Sequence, residues 1–295
     1  MNNDLKTGNN ISQIQQVLIY TMVLNLTVSA FKIIFGMMTH SVSIYSDGFH
    51  SVFDGLSNVV GLVGLRFAYN PPDSEHPYGH KKVEILLTVV ISLMMFFACF
   101  EIFKDVYGAL TGKMPQLKIS FETFIVMGAT LAVNVFVCIY EKRMGQKLNS
   151  DFLVADSAHT KSDIYVTCGV LVGLVLSKLG LRHVDPVVGA VVGLMVAWSG
   201  LEILRSTISV LIDANQIDTK LLSEISCKIE SVVGCHKIRT RGARGNVFVD
   251  LHIVVEPDLT VAEGHEIAHK VVNAIKNEMD GVADVVVHVE PAKKT

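Results

Sequence analysis

The sequence predicts a membrane all-α domain of six transmembrane helices followed by a small cytoplasmic α+β domain. Three observations predict it. Of the 295 residues, 50% are hydrophobic and only 18% charged, with a mean hydropathy of +0.45, a balance that soluble proteins seldom show. Apolar segments of about the 20 residues that a helix needs to cross the hydrocarbon recur six times before residue 208. From Asp213 onward charges return and the apolar spacing alternates between helical and strand periods. The net charge of −3 supplies no basic field for nucleic acid. The five cysteines are scattered, odd in number and contain no CxxC, which argues against a disulfide framework and against a thiolate zinc site.

Residues 1–15 are polar, lack a signal-peptide layout and read as a cytoplasmic tail. Residues 16–208 hold the spans: Val17 to Met38, Ile44 to Phe67, Ile85 to Phe103, Phe121 to Tyr140, Phe152 to Leu179 and Val184 to Leu204. Six spans put both termini on one side. Arg66, Lys81, Lys82, Lys142, Arg143 and Lys147 flank spans on that side, against Lys104, Lys113, Lys118, Lys178 and Arg182 opposite. The bias is slight and favours cytoplasmic termini. Residues 209–295 form the soluble part. Leu221, Leu222, Ile225, Ile229 and Val232 keep helical spacing, while Lys237 to Arg241 and Val247 to Val255 read as strands around a Gly-rich turn. Thr260 to Glu263 fits a capping box opening a helix that runs through Met279, and Val285, Val287 and Val289 form a last strand. The order α-β-β-α-β predicts a small open sheet with helices on one face.

The second and fifth spans carry matched polar faces. His50 and Asp54 are four apart, as are His159 and Asp163, so each pair stacks on one side of its helix. One aspartate at the bilayer centre costs roughly 2.5–3.5 kcal/mol, so two matched His–Asp pairs there point to an ion site rather than to core accident. Two nitrogens and two oxygens suit a four-coordinate divalent metal, zinc first. Asp47 and Asp156 precede the histidines by one turn and read as supporting groups or groups at the mouth of the site, with solvated helix-terminal carboxylates as the competing reading. The loop residues Asp73, His76 and His80 form a second metal-capable set, weighed evenly against a polar loop that merely contains histidines. In the soluble part, His265, Glu266 and His269 match HExxH, the zinc-peptidase pattern, although the domain is small for a substrate cleft. The bland alternative is a solvated helix face. Between them lies a metal site that joins His265 with His236, His252, His288 or Glu290.

Several motifs occur in a fixed order: Ser46 to Asp54, His76 to Glu84, Ala155 to Asp163, and Leu211-Ile212-Asp213. With them the chain resembles the cation diffusion facilitators, six-helix proteins that export divalent metals, usually as homodimers and usually in exchange for protons. The resemblance covers nearly the whole chain. It implies that His50, Asp54, His159 and Asp163 form the membrane transport site, that Asp73, His76 and His80 form a loop site, and that His236, His252, His265, His288 and Glu290 fall where some members bind metal in the cytoplasmic domain. It also implies that Lys82 and Asp213 belong to a charge interlock at the dimer junction. Two departures matter. His50 stands where one bacterial subgroup has Asp, and Glu290 where Asp is common. No long His-rich loop separates the fourth and fifth spans.

The resulting expectation is a multi-pass inner (plasma) membrane exporter of zinc, proton-coupled, embedded in the lipid bilayer as a homodimer, with both termini cytoplasmic. Iron, manganese, cobalt or cadmium are the alternative cargoes. The rivals from other classes are a membrane-anchored zinc peptidase and a metal sensor that does not transport.

Overall fold

The computed structural model describes residues 2–38, 55, 58–111, 121–178 and 185–293. It divides into two compact units, Met1–Arg205 and Ser206–Thr295.

The first unit is helical: α1 (Asn2–Met38), α2 (Asn58–Ala68), α3 (Lys82–Leu110), α4 (Phe121–Leu148), α5 (Asp151–Lys178) and most of α6 (Asp185–Leu211). Among the described residues, α1, α3, α4 and α6 are long and apolar enough to cross a membrane. Large apolar side chains stand exposed on them, Phe97, Phe100, Phe136, Leu194 and Trp198 among others. Water would penalise such a surface, and lipid would not. The α2 helix and Gly55 are the described portion of the expected second span, and the residues that precede them in it, Asp47, His50 and Asp54 included, lie outside the described residues. In α5 the apolar run is broken in its first half by Asp151, Asp156, Lys161 and Asp163, which is why composition alone sets it apart from the other four.

The interior of this unit is built around α5. Helices α3 and α4 both pack along it. Phe152, Leu153 and Ala155 enter one buried cluster with Ile14, Leu18, Leu65 and Ile91. The Phe152 ring lies against Gly61 of α2, where an added Cβ would come within 2.3 Å of it. The α4–α5 connection is tight. The Ser150 N–H returns to the Gly145 carbonyl at 3.0 Å across Asn149, which adopts φ 52°. This is the left-handed helix ending that asparagine tolerates better than most residues. Ser150 then caps α5, its Oγ accepting from the Leu153 N–H at 3.3 Å.

The second unit follows the expected α-β-β-α-β order: α7 (Thr219–Cys227), β1 (Val232–Ala243), β2 (Asn246–Val255), α8 (Val261–Glu278) and β3 (Val282–Pro291). The three-stranded sheet has the order β1-β2-β3, with β1 antiparallel and β3 parallel to the central β2. The parallel pair requires a crossover, which α8 supplies. Val247, Val249, Leu251, Ile253 and Val255 of β2 all face the core, against Leu222, Ile225, Ile267, Val271 and Ile275 of the helices. The capping box forms as expected: Thr260 Oγ1 accepts from the Glu263 N–H, and the Glu263 carboxylate accepts from the Thr260 N–H at 2.8 Å. That engagement holds the Glu263 carboxyl below its usual range, the Thr260 N–H first among the causes. The first strand is longer than its alternation indicated. A register shift between His236 and Arg239, with Lys237 at φ 50°, breaks the period-two pattern inside it.

Candidate metal centres

The membrane unit contains a cavity of about 580 Å³ lined by α1, α2, α3, α4, α5 and one residue of α6. His159, only 6% exposed, and Asp163 both line it, one helical turn apart on α5. The His–x–x–x–Asp spacing therefore does place the two side chains on one face, toward one polar space. Asp156, 2% exposed, lines the same cavity one turn earlier. The partners expected from the second span, His50 and Asp54, lie outside the described residues. Other helices add polar groups to the cavity: Asn25 and Lys32 from α1, Asn58 from α2, Glu101 and Asp105 from α3, and Thr130 and Asn134 from α4. Asn25 and Lys32 interrupt the apolar run of α1. Glu101, Asp105 and Asn134 were not singled out, because in a helix that is apolar all round no periodicity marks the inward face. Glu141 of α4 is also buried and accepts a hydrogen bond at 3.2 Å from Oγ1 of Thr160, the residue after His159.

The loop set closes as a cluster. Asp73, His76 and His80 bring one ligand atom each within 4.8 Å of one another. Asp73 Oδ1 accepts the backbone N–H groups of His76 at 2.6 Å and Glu75 at 3.0 Å, and these bonds, His76 first, hold its carboxyl below the usual range. Its two oxygens lie 3.3 Å from His76 Nδ1 and 3.4 Å from His80 Nε2. Gly79 at φ 80° lets the chain turn between the two histidines, with its N–H on the His76 carbonyl at 2.9 Å. The loop joins a second network at its end. Lys81 Nζ pairs with Glu84 at 2.7 Å and sits 3.6 Å from the centroid of the Tyr69 ring. Burial, followed by the negative charges of Glu84 and Asp151, pushes the Tyr69 phenol far above its ordinary range.

In the soluble unit the sheet register builds the third cluster. His236 pairs with His252 across β1–β2, and His252 with His288 across β2–β3, so three imidazoles line up on the face away from the helices. His236, His252 and Glu290 bring ligand atoms within 4.8 Å of one another. Glu290 Oε1 lies 2.7 Å from His252 Nδ1 and 3.7 Å from His288 Nε2, and Oε2 lies 3.2 Å from His236 Nε2. The His252 hydrogen bond first, then the nearby positive charges, hold the Glu290 carboxyl below its usual range. A set of imidazole nitrogens and one carboxylate fits a borderline divalent ion. His265 falls elsewhere: its Nε2 faces His269 Nε2 at 3.1 Å on exposed α8. Neither residue belongs to a metal-capable group of three among the described residues.

Helices with exposed apolar surfaces around a polar cavity, with His–carboxylate clusters on a loop and on a sheet, are the layout of a membrane protein whose donor groups suit a cation. Residues 18–212 match the cation efflux transmembrane domain, and residues 214–292 match the cation efflux protein cytoplasmic domain. The chain is 31% identical to the uncharacterized transporter MJ0449 of Methanocaldococcus jannaschii over 94% of this chain and 98% of that one. It is 28% identical to the manganese efflux system protein MneS of Bacillus subtilis, over 91% and 92%. It is 32% identical to metal tolerance protein C1 of Arabidopsis thaliana, over 90% of this chain and 59% of that one. The chain belongs to the cation efflux family, whose cytoplasmic part is a dimerisation domain. It is accordingly a membrane transporter with divalent metal cations as cargo, not an enzyme, which removes the peptidase reading of His265, Glu266 and His269.

Proposed function

We propose that this protein exports zinc from the cytoplasm across the inner (plasma) membrane in exchange for protons, as a six-span homodimer with both termini cytoplasmic. The observation that carries this reading is the pair His159 and Asp163, brought together on one polar cavity inside otherwise apolar helices. With His50 and Asp54 they supply two nitrogens and two oxygens, a donor set that favours zinc over harder ions. Imidazoles titrate near physiological pH, so metal arriving from the cytoplasm displaces protons from His50 and His159. Facing outward, the site releases metal and takes protons back. Asp47 and Asp156 support the ligands. The Asp73–His76–His80 loop site and the His236, His252, His288 and Glu290 cluster sense cytoplasmic metal, with His265 available to the latter only through another arrangement of α8 or a second subunit. Lys82 and Asp213 form the interlock at the dimer junction.

One specific observation favours a second cargo: two relatives from Bacillus subtilis are named manganese efflux system proteins. A single experiment addresses cargo and coupling together. The full chain in proteoliposomes is given Zn²⁺ or Mn²⁺ in competition, at fixed membrane potential, with and without a proton gradient. Zinc flux that outcompetes manganese and accelerates toward the acidic side is expected. Manganese preference would replace the cargo, and indifference to the pH gradient would leave a uniporter.

A further inference from the structure

Glu84 takes no part in the cavity or in either described cluster, yet it is a carboxylate only 2% exposed, in the first turn of α3. A group this deeply buried stays only when its oxygens are met by donors. Its donors come from two places. From the end of the loop, Lys81 Nζ reaches Oε2 at 2.7 Å while its ammonium lies over Tyr69. From the start of α5, the Ser150 hydroxyl donates to Oε1 in a short hydrogen bond, and the Phe152 N–H donates to the same oxygen at 3.3 Å.

The first turn of α5 is therefore closed twice, by Ser150 in its own chain segment and by Glu84 from a different helix. The free N–H groups and positive end of a helix dipole favour an anion there. A cap from within the segment travels with the helix, whereas a cap from α3 ties the axial position of α5 to α3. His159 lies seven positions after Phe152, about 10 Å along the helix. Any slip of α5 against α3 carries His159 and Asp163 with it, and metal sites tolerate errors of only about 0.2 Å.

We propose that Glu84 is a positioning residue for transport: held by Lys81 over Tyr69, it pins the N-terminus of α5 to α3 and so sets where His159 and Asp163 stand. The inference rests on the reading of α5 as a ligand-bearing helix of the transport site. It predicts that removing the pin changes the apparent affinity for metal, whereas a merely structural role would lower only the maximal rate through the fraction of folded protein.

The test measures initial Zn²⁺ uptake against Zn²⁺ concentration for the full chain in proteoliposomes. Glu84→Ala is expected to raise the apparent KM about tenfold, with Glu84→Gln, which keeps one acceptor for Ser150 and Phe152, falling between it and wild type. Ser150→Ala is expected to raise KM alone but to add nothing further in the Glu84→Ala background, since both break one contact. Unchanged KM in Glu84→Ala, or KM effects of the two substitutions that multiply, would overturn the assignment. If Glu84→Ala does not insert in folded form, Lys81→Met removes the ion pair and the ammonium over Tyr69 while leaving Glu84 its bonds to α5, and the same criterion applies with a rise of about threefold expected. A wild-type protein that moves no divalent ion would fail the transport reading, and the positioning role with it, before any variant is compared.

Discussion

Asp163 is one carboxylate on a helix of 28 residues, yet keeping it inside a membrane is costly for the protein, by roughly 2.5–3.5 kcal/mol on insertion scales. Its position on the polar cavity beside His159 gives that cost a purpose. Asp163→Ala is expected to abolish metal flux while leaving folding and membrane insertion intact, because it removes charge from a dication site and leaves only an apolar methyl. Wild-type flux in this variant would remove Asp163 from the site. Glu290 makes a different residue-scale prediction. Its carboxyl is held below the ordinary 4.5 by the His252 hydrogen bond and neighbouring positive charge. A depressed acid contributes stability that is fully present above its unfolded value and lost as pH falls through the folded one. The wild-type melting temperature should therefore fall from about pH 4.5 downward, and Glu290→Gln should flatten that part of the profile. Thermal melts of the two proteins across that window, parallel at every pH, would contradict it.

At the scale of elements, α5 and its neighbours show where packing decides geometry. Gly61 gives the Phe152 ring the room that a side chain would occupy, and Phe152 is itself buried among Leu18, Leu65 and Leu153. The ring has nowhere to retreat in a close-packed interior, so Gly61→Leu is expected to push α2 from α5, destabilise the protein by about 1–3 kcal/mol and slow transport. Unchanged thermal stability in detergent would show that the ring can move after all. The elements legible in the sequence were those with one dominant signal. β2 alternates cleanly because one face is core, and α8 carries its capping box in four residues. β1 was read too short because the shift at His236 to Arg239 breaks its period. The two His–Asp pairs stand out in the sequence because they are polar residues inside apolar spans, and of them His159 and Asp163 lie among the described residues, on the cavity. Glu84, by contrast, reads from sequence as a charge at a helix mouth. Its partners Ser150 and Phe152 lie 66 and 68 positions away, a distance that no local pattern spans. The sheet cluster depends on strand register, which aligns His236, His252 and His288, whereas His265 lies on α8.

At the scale of the whole molecule, α6 carries the chain from the first unit into the second, so the residues at its end are where the chain joins the two. Asp213 stands just past the end of α6, and its backbone is unusual: φ is 58°, its N–H reaches the Val210 carbonyl at 3.2 Å, and the Ala214 N–H reaches Ser209 at 2.9 Å. This is a left-handed helix ending of the kind glycine usually occupies, and the chain beyond it is anchored, with the Gln216 N–H on Thr240 Oγ1 at 2.7 Å. Asp213 therefore has a structural role available besides the proposed interlock with Lys82, and a left-handed non-glycine residue costs about 1 kcal/mol that a lysine would bear less well than an aspartate. A surface ion pair is worth only about 0–1 kcal/mol, so the interlock would act by its position at a junction between two states rather than by strength. The two roles separate in a four-variant transport series. Asp213→Asn keeps tolerance for the left-handed backbone and removes the charge, so impaired transport in this variant assigns the effect to charge. Asp213→Lys should be worse, through like-charge repulsion with Lys82, and Lys82→Asp in the same chain should partly restore it. If Asp213→Asn transports normally and the double variant is no better than the worse single one, Asp213 matters only as a helix ending and the pair with Lys82 is to be abandoned.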